Sequence, residues 1–414
     1  MARILFLTEL LPYPLVSGAK IRAYFVLKHL ARRHRVTLLS FTRPEDSPED
    51  IAHLSSFLDR AYTVPMQRSL LRDVRAGLVS VTTGLPAIIA REEIAAMRRK
   101  VLELLATGRF DAVHADQIPM ARYGLLPAPA GSARIPRVLD QHNATFRLLE
   151  RFAANEPRFW KRALLRREAS AFARYEPEIC RRYDHVAFVT AEDRRTLEGR
   201  MGPGSLDGRS SVIPICVDTE AVAPATPAAS PHRVTLLGTM FWPPNIEGFD
   251  WFHRNVWPAV LAGAPAARLT AIGKRPPERL LALHGREGVE VPGYVPDLTP
   301  CLAETAAFIV PLLSAGGMRV KIVDAWCRGL PVVSTSIGVE GIECRDGENI
   351  LLADTPEAFA SSLLRVLTEP SLNRALRANG RRWVEQRYEW RRVYGAWDEI
   401  YDGLLPGQHA PCSI

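Results

Sequence analysis

The chain has 414 residues, 47% of them hydrophobic and 24% charged. That balance excludes a disordered or fibrous protein, and the length points to two domains of ~100–200 residues. Fifty-three basic residues against 45 acidic leave a formal charge of +8, which favours an anionic partner without naming it. Arginine supplies nearly all of the positive charge, because lysine occurs only at positions 20, 28, 100, 161, 274 and 321. The cysteines at 180, 216, 301, 327, 344 and 412 form no C-x-x-C pair. A disulfide framework and a zinc site are both disfavoured, and the expected compartment is the cytoplasm. The apolar start Ile4–Leu7 stops at Thr8-Glu9, shorter than a secretory signal needs, and no run approaches the ~18 residues of a membrane span.

The first forty residues predict strand, loop, helix and strand. Arg3–Thr8 is a short apolar run, and Leu11–Ala19 holds Pro12, Pro14, Ser17 and Gly18. Lys20–Arg33 repeats Ile21, Tyr24, Phe25, Leu27 and Leu30 at helical spacing, and Arg35–Phe41 is apolar again. This is a βαβ unit, and the fold that follows is a doubly wound parallel sheet. Further strands are predicted at Ala112–His114, Arg137–Leu139 and His185–Thr190. In open α/β sheets ligands gather beyond the carboxyl ends of strands, so His114, Asp116, Asp140, His142 and Asn143 are candidate site residues. For His114 a purely structural role stays open beside a ligand contact. Arg151–Arg182 carries nine Arg or Lys against four Glu, with Phe159, Trp160, Leu164, Leu165, Phe172 and Ala173 at helical spacing. It reads as a basic amphipathic helix that either faces the core or lies on an anionic bilayer. Nucleic acid is not expected as a partner, because the basic residues are dispersed and accompany no binding motif.

Ala223–Pro231 has three prolines and five small residues in nine positions, the composition of a linker. A second α/β domain follows, with strands predicted at Val234–Leu237, Arg268–Ile272, Val289–Val291, Ala307–Val310, Pro331–Ser334 and Ile350–Leu352. The expected domains are 1–222, 232–388 and a returning segment 389–414. In that segment Trp390, Val393, Tyr394, Trp397, Ile400, Tyr401 and Leu404 repeat at helical spacing.

Ile309–Gly341 carries the chemistry. A strand ends at Pro311, Gly316-Gly317 makes a turn, and a helix is predicted to start near Met318. A helix start exposes unpaired N–H groups and favours an anion. Arg319 and Lys321 add two cations there, and Asp324 shares a helix face with Lys321. Cations for a diphosphate and a carboxylate for paired hydroxyls would suit an activated nucleotide. A plain strand–turn–helix with a solvated Lys–Asp pair fits the spacing equally well.

Pro311, Leu312, Gly316, Gly317, Arg319, Lys321, Ile322, Ala325, Gly329 and Pro331–Thr335 resemble the donor segment of glycosyltransferase family 4. So do Val339-Glu340-Gly341, Asp346–Asn349, Leu237–Asn245, the first loop from Pro12 through Arg22, and Val212–Pro214 with Val217-Asp218. The family's first donor-site glutamate is Gly316 here and its second is Asp324; the pre-linker Asn-Gly is Ile215-Cys216.

The resemblance implies a GT-B fold, with two Rossmann-like domains facing a cleft and a C-terminal helix crossing back to the first domain. It further implies a retaining, metal-independent transferase that moves a sugar from a nucleotide diphosphate sugar to an acceptor: a glycan, a lipid-linked molecule or a small molecule. Arg319 and Lys321 would stabilise the departing diphosphate, and His114 would assist at the transferred sugar. Gly18, Asp324, Gly316, Gly317, Gly238, Asn245, Lys274, Asp116 and His142 would bind substrate, with no metal or other cofactor. A nucleotide-sugar epimerase and a non-catalytic sugar-nucleotide or partner-binding protein stay open as alternatives. The expected location is the cytoplasm, with peripheral contact at the inner face of the membrane.

Overall fold

The computed structural model describes residues 1–226, 232–314 and 316–405. The chain divides into two compact units, Met1–Cys216 joined by the segment from Trp390 onward, and Val217–Glu389. Residues 217–222, expected in the first domain, group with the second, and Glu389 does too. The expected linker 223–231 is described only as far as residue 226, and the tail 406–414 lies outside the described residues.

The first unit is a seven-stranded parallel sheet. Its strands are β1 (Arg3–Thr8), β2 (Arg35–Thr42), β3 (Arg60–Pro65), β4 (Ala112–Asp116), β5 (Arg137–Gln141), β6 (His185–Phe188) and β7 (Ser210–Val212), in the order β3-β2-β1-β4-β5-β6-β7. Alternate side chains leave a strand on opposite faces. On β1, Leu5 and Leu7 enter one apolar cluster and Ile4 and Phe6 another. The sheet is therefore covered on both faces, as a parallel sheet must be.

The second unit has a six-stranded parallel sheet of β8 (Arg233–Leu237), β9 (Arg268–Ile272), β10 (Val289–Gly293), β11 (Thr305–Val310), β12 (Val332–Ser334) and β13 (Leu351–Leu352). Its order is β10-β9-β8-β11-β12-β13. Both sheets reverse direction of winding once, between β1 and β4 and between β8 and β11. Crevices for ligands open at such switch points. The architecture is GT-B.

The Arg151–Arg182 stretch is not one helix. Glu156–Arg158 separates a Thr145–Asn155 helix from a Phe159–Arg181 helix, because the pre-proline and proline positions 156 and 157 disfavour helix continuation. The longer helix buries Phe172 and Ile179 but leaves Phe159, Trp160 and Leu164 exposed. Its carboxylates also end other helices. Glu168 accepts from the backbone N–H groups of Ala87 and Ile88, both at 3.0 Å. Glu176 accepts from Thr145 and Phe146 at 2.9 and 3.1 Å and from the Gln141 amide at 2.9 Å. Neither receiving helix has a side-chain cap of its own, so these long-range acceptors satisfy orphan donors.

The returning segment is a short Trp390–Val393 turn followed by a Gly395–Leu404 helix. Trp390, Tyr394, Trp397, Ile400 and Tyr401 join the core beside Ile4, Phe6 and Phe25 of the first unit. Among the described residues no helix is long and apolar enough to cross a membrane.

Candidate functional site

In the second unit, three residues singled out from the sequence meet at the β8 end. Lys321, on the Val320–Cys327 helix, donates from Nζ to Asn245 Oδ1 at 2.8 Å. Asn245, in the first turn of the Pro243–Asn255 helix, donates to the Thr239 carbonyl at 2.9 Å. Gly238 closes the group: a Cβ there would lie 2.7 Å from Asn245 Nδ2 and 2.9 Å from Lys321 Nζ. Any side chain at 238 would displace the ammonium. Gly273 is tighter still, since a Cβ would fall 1.7 Å from the Gly238 carbonyl oxygen. The turns after β8 and β9 are thereby pressed together.

Burial of the Lys321 ammonium, with the Arg319 guanidinium nearby, pushes its pKa down to about 7. Arg319 precedes the first residue of its helix, two positions later than the start expected near Met318. It is buried and donates to the Gly316 carbonyl. Gly317 sits at φ 68°, a conformation that favours glycine, so the Gly-Gly turn aims the loop at the helix start. Asp324 pairs with Arg328 at 3.0 Å, not with Lys321, and remains partly exposed. Lys274 lies 4.6 Å over the Tyr294 ring, and Arg275, at φ 53°, stacks 3.8 Å over Phe241. Together these residues present a helix start, two cations and two aromatic–cation pairs, suited to a diphosphate and a planar base.

In the first unit, polar groups collect at the ends of β1, β4 and β5. His142 Nε2 is 2.9 Å from Asp116 Oδ1 and 3.8 Å from Asp140 Oδ2. Although its burial opposes charge, the two carboxylates raise its pKa to about 9. Asp140 is held well below the usual carboxylate range: burial opposes this, and Arg22 outweighs it. Arg22, fully buried, grips Asp140 with three contacts of 2.7–2.9 Å and donates to the Ile213 carbonyl at 2.6 Å. Glu9 is pushed up to about 7, first by burial and then by Glu92. Asp116, Asp140 and His142 offer ligand atoms within 4.8 Å of one another. A metal does not fit well there, because both Asp140 oxygens are already held by a guanidinium that would repel it.

Gly18 opens the Gly18–Leu30 helix, whose cap is Ser17, accepting from the Lys20 N–H at 3.4 Å. His114 packs apart from the Asp116–His142 pair. It is fully buried, stacked 4.1 Å on Phe6, and its Nδ1 lies 2.9 Å from Tyr401 Oη. Burial pushes its pKa down to about 3. Side chains alternate along β4, so His114 points into the core layer that receives the returning helix. Of the two roles left open for His114 by the sequence, a sugar contact or a structural one, this packing matches the structural one. Arg22, which enters the sequence reading only as part of the first-loop resemblance, and Glu9 are not among the expected site residues. The available signal for Arg22 was a charge amid the apolar face of Ile21, Tyr24 and Phe25.

A model of the glycosyl transferases group 1 matches residues 231–369, and one of Glycosyltransferase Family 4 matches residues 16–221. The chain belongs to the group 1/family 4 glycosyltransferases. Among solved structures this glycosyltransferase is similar to Anabaena HepE in complex with UDP and glucose, with TM-score 0.66 and 14% identity, covering 97% of this chain and 100% of that one. It is similar to TarM (TM-score 0.67, 12% identity, 97% and 99% covered) and to WaaG, a glycosyltransferase involved in lipopolysaccharide biosynthesis (0.61, 15%, 96% and 99%). These likenesses concern the fold. An uncharacterized 44.6 kDa protein in the cps region of Klebsiella pneumoniae is 24% identical over 172 residues, 40% of this chain and 44% of that protein. A Xenopus tropicalis glycosyltransferase 1 domain-containing protein is 29% identical over 94 residues, 23% and 27% of the two chains. The matches thus span less than half the length of either curated relative.

Proposed function

We propose that this glycosyltransferase moves a sugar from a nucleotide diphosphate sugar to an acceptor, with retention at the anomeric carbon and without a metal. The observation that carries the reading is the Gly238–Asn245–Lys321 group beside Arg319 at a helix start. A preorganised pair of cations stabilises charge as it develops on a leaving group. Lys321 and Arg319 supply that pair for the departing diphosphate, Asp324 reaches the ribose hydroxyls by leaving Arg328, and Gly316 and Gly317 let the backbone approach the phosphates. Lys274 and Tyr294 flank the base. HepE, of the same fold, was solved with UDP and glucose, which supports a uridine or related diphosphate donor.

The first unit takes the acceptor, which is a glycan, a lipid-linked molecule or a small molecule. Asp116 and Asp140 are engaged by His142 and Arg22, which supports a reaction without a carboxylate nucleophile. His142 then acts as a fixed cation and hydrogen-bond donor. Gly18 gives the acceptor close access to the first helix. The five described cysteines are unpaired with one another, which suits a cytoplasmic protein with peripheral contact at the membrane.

The test is a panel of nucleoside diphosphates scored by thermal shift, followed by turnover of the matching nucleotide sugars. One diphosphate should raise the melting temperature, since it binds the folded state alone. Lys321→Ala should then lower turnover by about 10²–10³-fold with folding intact. Binding without any turnover would favour the non-catalytic protein. An altered free sugar produced without acceptor would favour the epimerase.

A further inference from the structure

The Leu70–Thr83 helix of the first unit buries only Ala76 and Ser80. Leu70, Leu71, Val74, Leu78 and Val81 are 83, 84, 62, 63 and 71% exposed. At 3.6 residues per turn these five positions fall within one arc of about 100°. A helix of a soluble domain ordinarily turns such a stripe inward. Here it faces out.

Beside the stripe lies a cavity of about 860 Å³, lined by Arg72 and Arg75 of this helix and by Arg91, Arg98, Arg122 and Arg174. Glu93 and Glu178 are the only acidic residues in that lining, and Arg122 already holds Glu93 at 3.0 Å. Arg72 is committed to the backbone carbonyls of Gln67 and Arg91. Arg75 and Arg98 have no acidic partner among the described residues, and Arg174 has only the Ser170 hydroxyl, at 3.1 Å. The Phe159–Arg181 helix forms the far wall, tied to the first by Arg167, which donates to the Ser80 hydroxyl and carbonyl at 2.8 and 2.7 Å.

We propose that this face docks on a bilayer of anionic phospholipid, the aliphatic stripe entering the headgroup–acyl boundary and the arginine-lined cavity taking the headgroup phosphates. The stripe is wholly aliphatic and offers no directional group to a protein partner, whereas an amphipathic helix with a basic flank is built to lie in that boundary. Guanidinium matches phosphate geometry with two parallel hydrogen bonds, so unpaired arginines complement the charge of the surface. The inference gives the peripheral contact of the proposed function its surface and rests on that part of the reading. Sugar transfer is separable, because the residues assigned to the donor lie in the other unit.

The test is co-sedimentation of the full chain with phosphatidylcholine vesicles, with and without phosphatidylglycerol. Binding is expected only to the mixed vesicles, falling as salt rises. Leu71→Glu/Val74→Glu/Leu78→Glu, all at exposed positions, should abolish it at unchanged melting temperature. Arg75→Glu/Arg98→Glu should weaken it by at least about fivefold per arginine. Turnover of nucleotide sugar on a soluble acceptor should be unaffected in both variants, so loss of turnover in the wild type would count against the transfer reading alone. The proposal is overturned if the wild type ignores mixed vesicles, or if the triple variant binds them as well as the wild type. It is equally overturned if light scattering shows a dimer that the triple variant dissociates while vesicle binding persists. Stabilisation by inorganic phosphate, lost in Arg75→Glu/Arg98→Glu while vesicle binding persists, would make the cavity a site for soluble phosphate instead.

Discussion

Lys321 and His114 are both basic side chains placed beyond or within parallel strands, and their surroundings give them opposite fates. Lys321 keeps one polar contact, Asn245, and its pKa falls to about 7 because burial and Arg319 disfavour the ammonium. The charged form is therefore fully present only below neutrality in the free enzyme, and it is lost as pH rises through 7. If it binds the diphosphate, kcat/KM should fall about tenfold per pH unit above that midpoint, while kcat falls only at higher pH, because bound diphosphate restores the charge. Lys321→Arg, which cannot lose its proton in this range, should remove the limb, and a pH–rate profile of both proteins checks it. His114 is wrapped by Phe6, Trp397 and Tyr401. His114→Gln should lower the melting temperature by several degrees and leave kcat and KM near the wild-type values. A loss of turnover with unchanged stability would return His114 to the site. The identity of His114 was legible; the direction of its side chain was not, since that follows from strand register and from a helix nearly three hundred residues away.

At the scale of elements, the Phe159–Arg181 helix shows how charge can serve packing. Glu176 ends the Thr145–Asn155 helix and holds Gln141 from inside the core. Burial raises its pKa to about 7 from an ordinary 4.5. The folded state thus favours the protonated carboxyl, and its contribution is fully present below pH 4.5 and is lost as pH rises towards 7. Glu176→Gln should flatten that part of the stability–pH curve. The amide has one acceptor oxygen for three donors, so urea unfolding at low pH should show a loss of about 1–3 kcal/mol. The strand and helix pattern at the start of each unit was readable because strands buried on both faces read as short continuous apolar runs, while the core-facing positions of the helices repeat with period 3.6. The edge strands β3 and β7 were not, since their burial is partial and their apolar runs short. Long-range caps such as Glu168 and Glu176 have no local spacing to betray them.

At the scale of the whole molecule, the chain closes its first unit with its own last helix. Trp390, Tyr394, Trp397, Ile400 and Tyr401 are all buried, and Arg22 lies 5.6 Å over the Trp397 ring while gripping Asp140. Trp397→Ala should cost about 3–5 kcal/mol, the range for emptying a large aromatic site. A chain ended at Glu389 should lose the cooperative unfolding of the first unit, with denaturant titration followed by circular dichroism as the measurement. By itself the amino-acid sequence determined two α/β units, the Gly-Gly-x-Arg-x-Lys segment and the aromatic periodicity of the returning helix, because each of these is a local pattern of residue type and spacing. Only the tertiary structure decided that His114 belongs to the core, that Asp324 pairs with Arg328, and that Arg22, Asp140, Asp116 and His142 form one ion network. It also turned the Leu70–Thr83 stripe outward beside its arginines. Each of those depends on which distant surfaces meet, and the free energy of burying or pairing a group is set by neighbours that linear spacing does not specify.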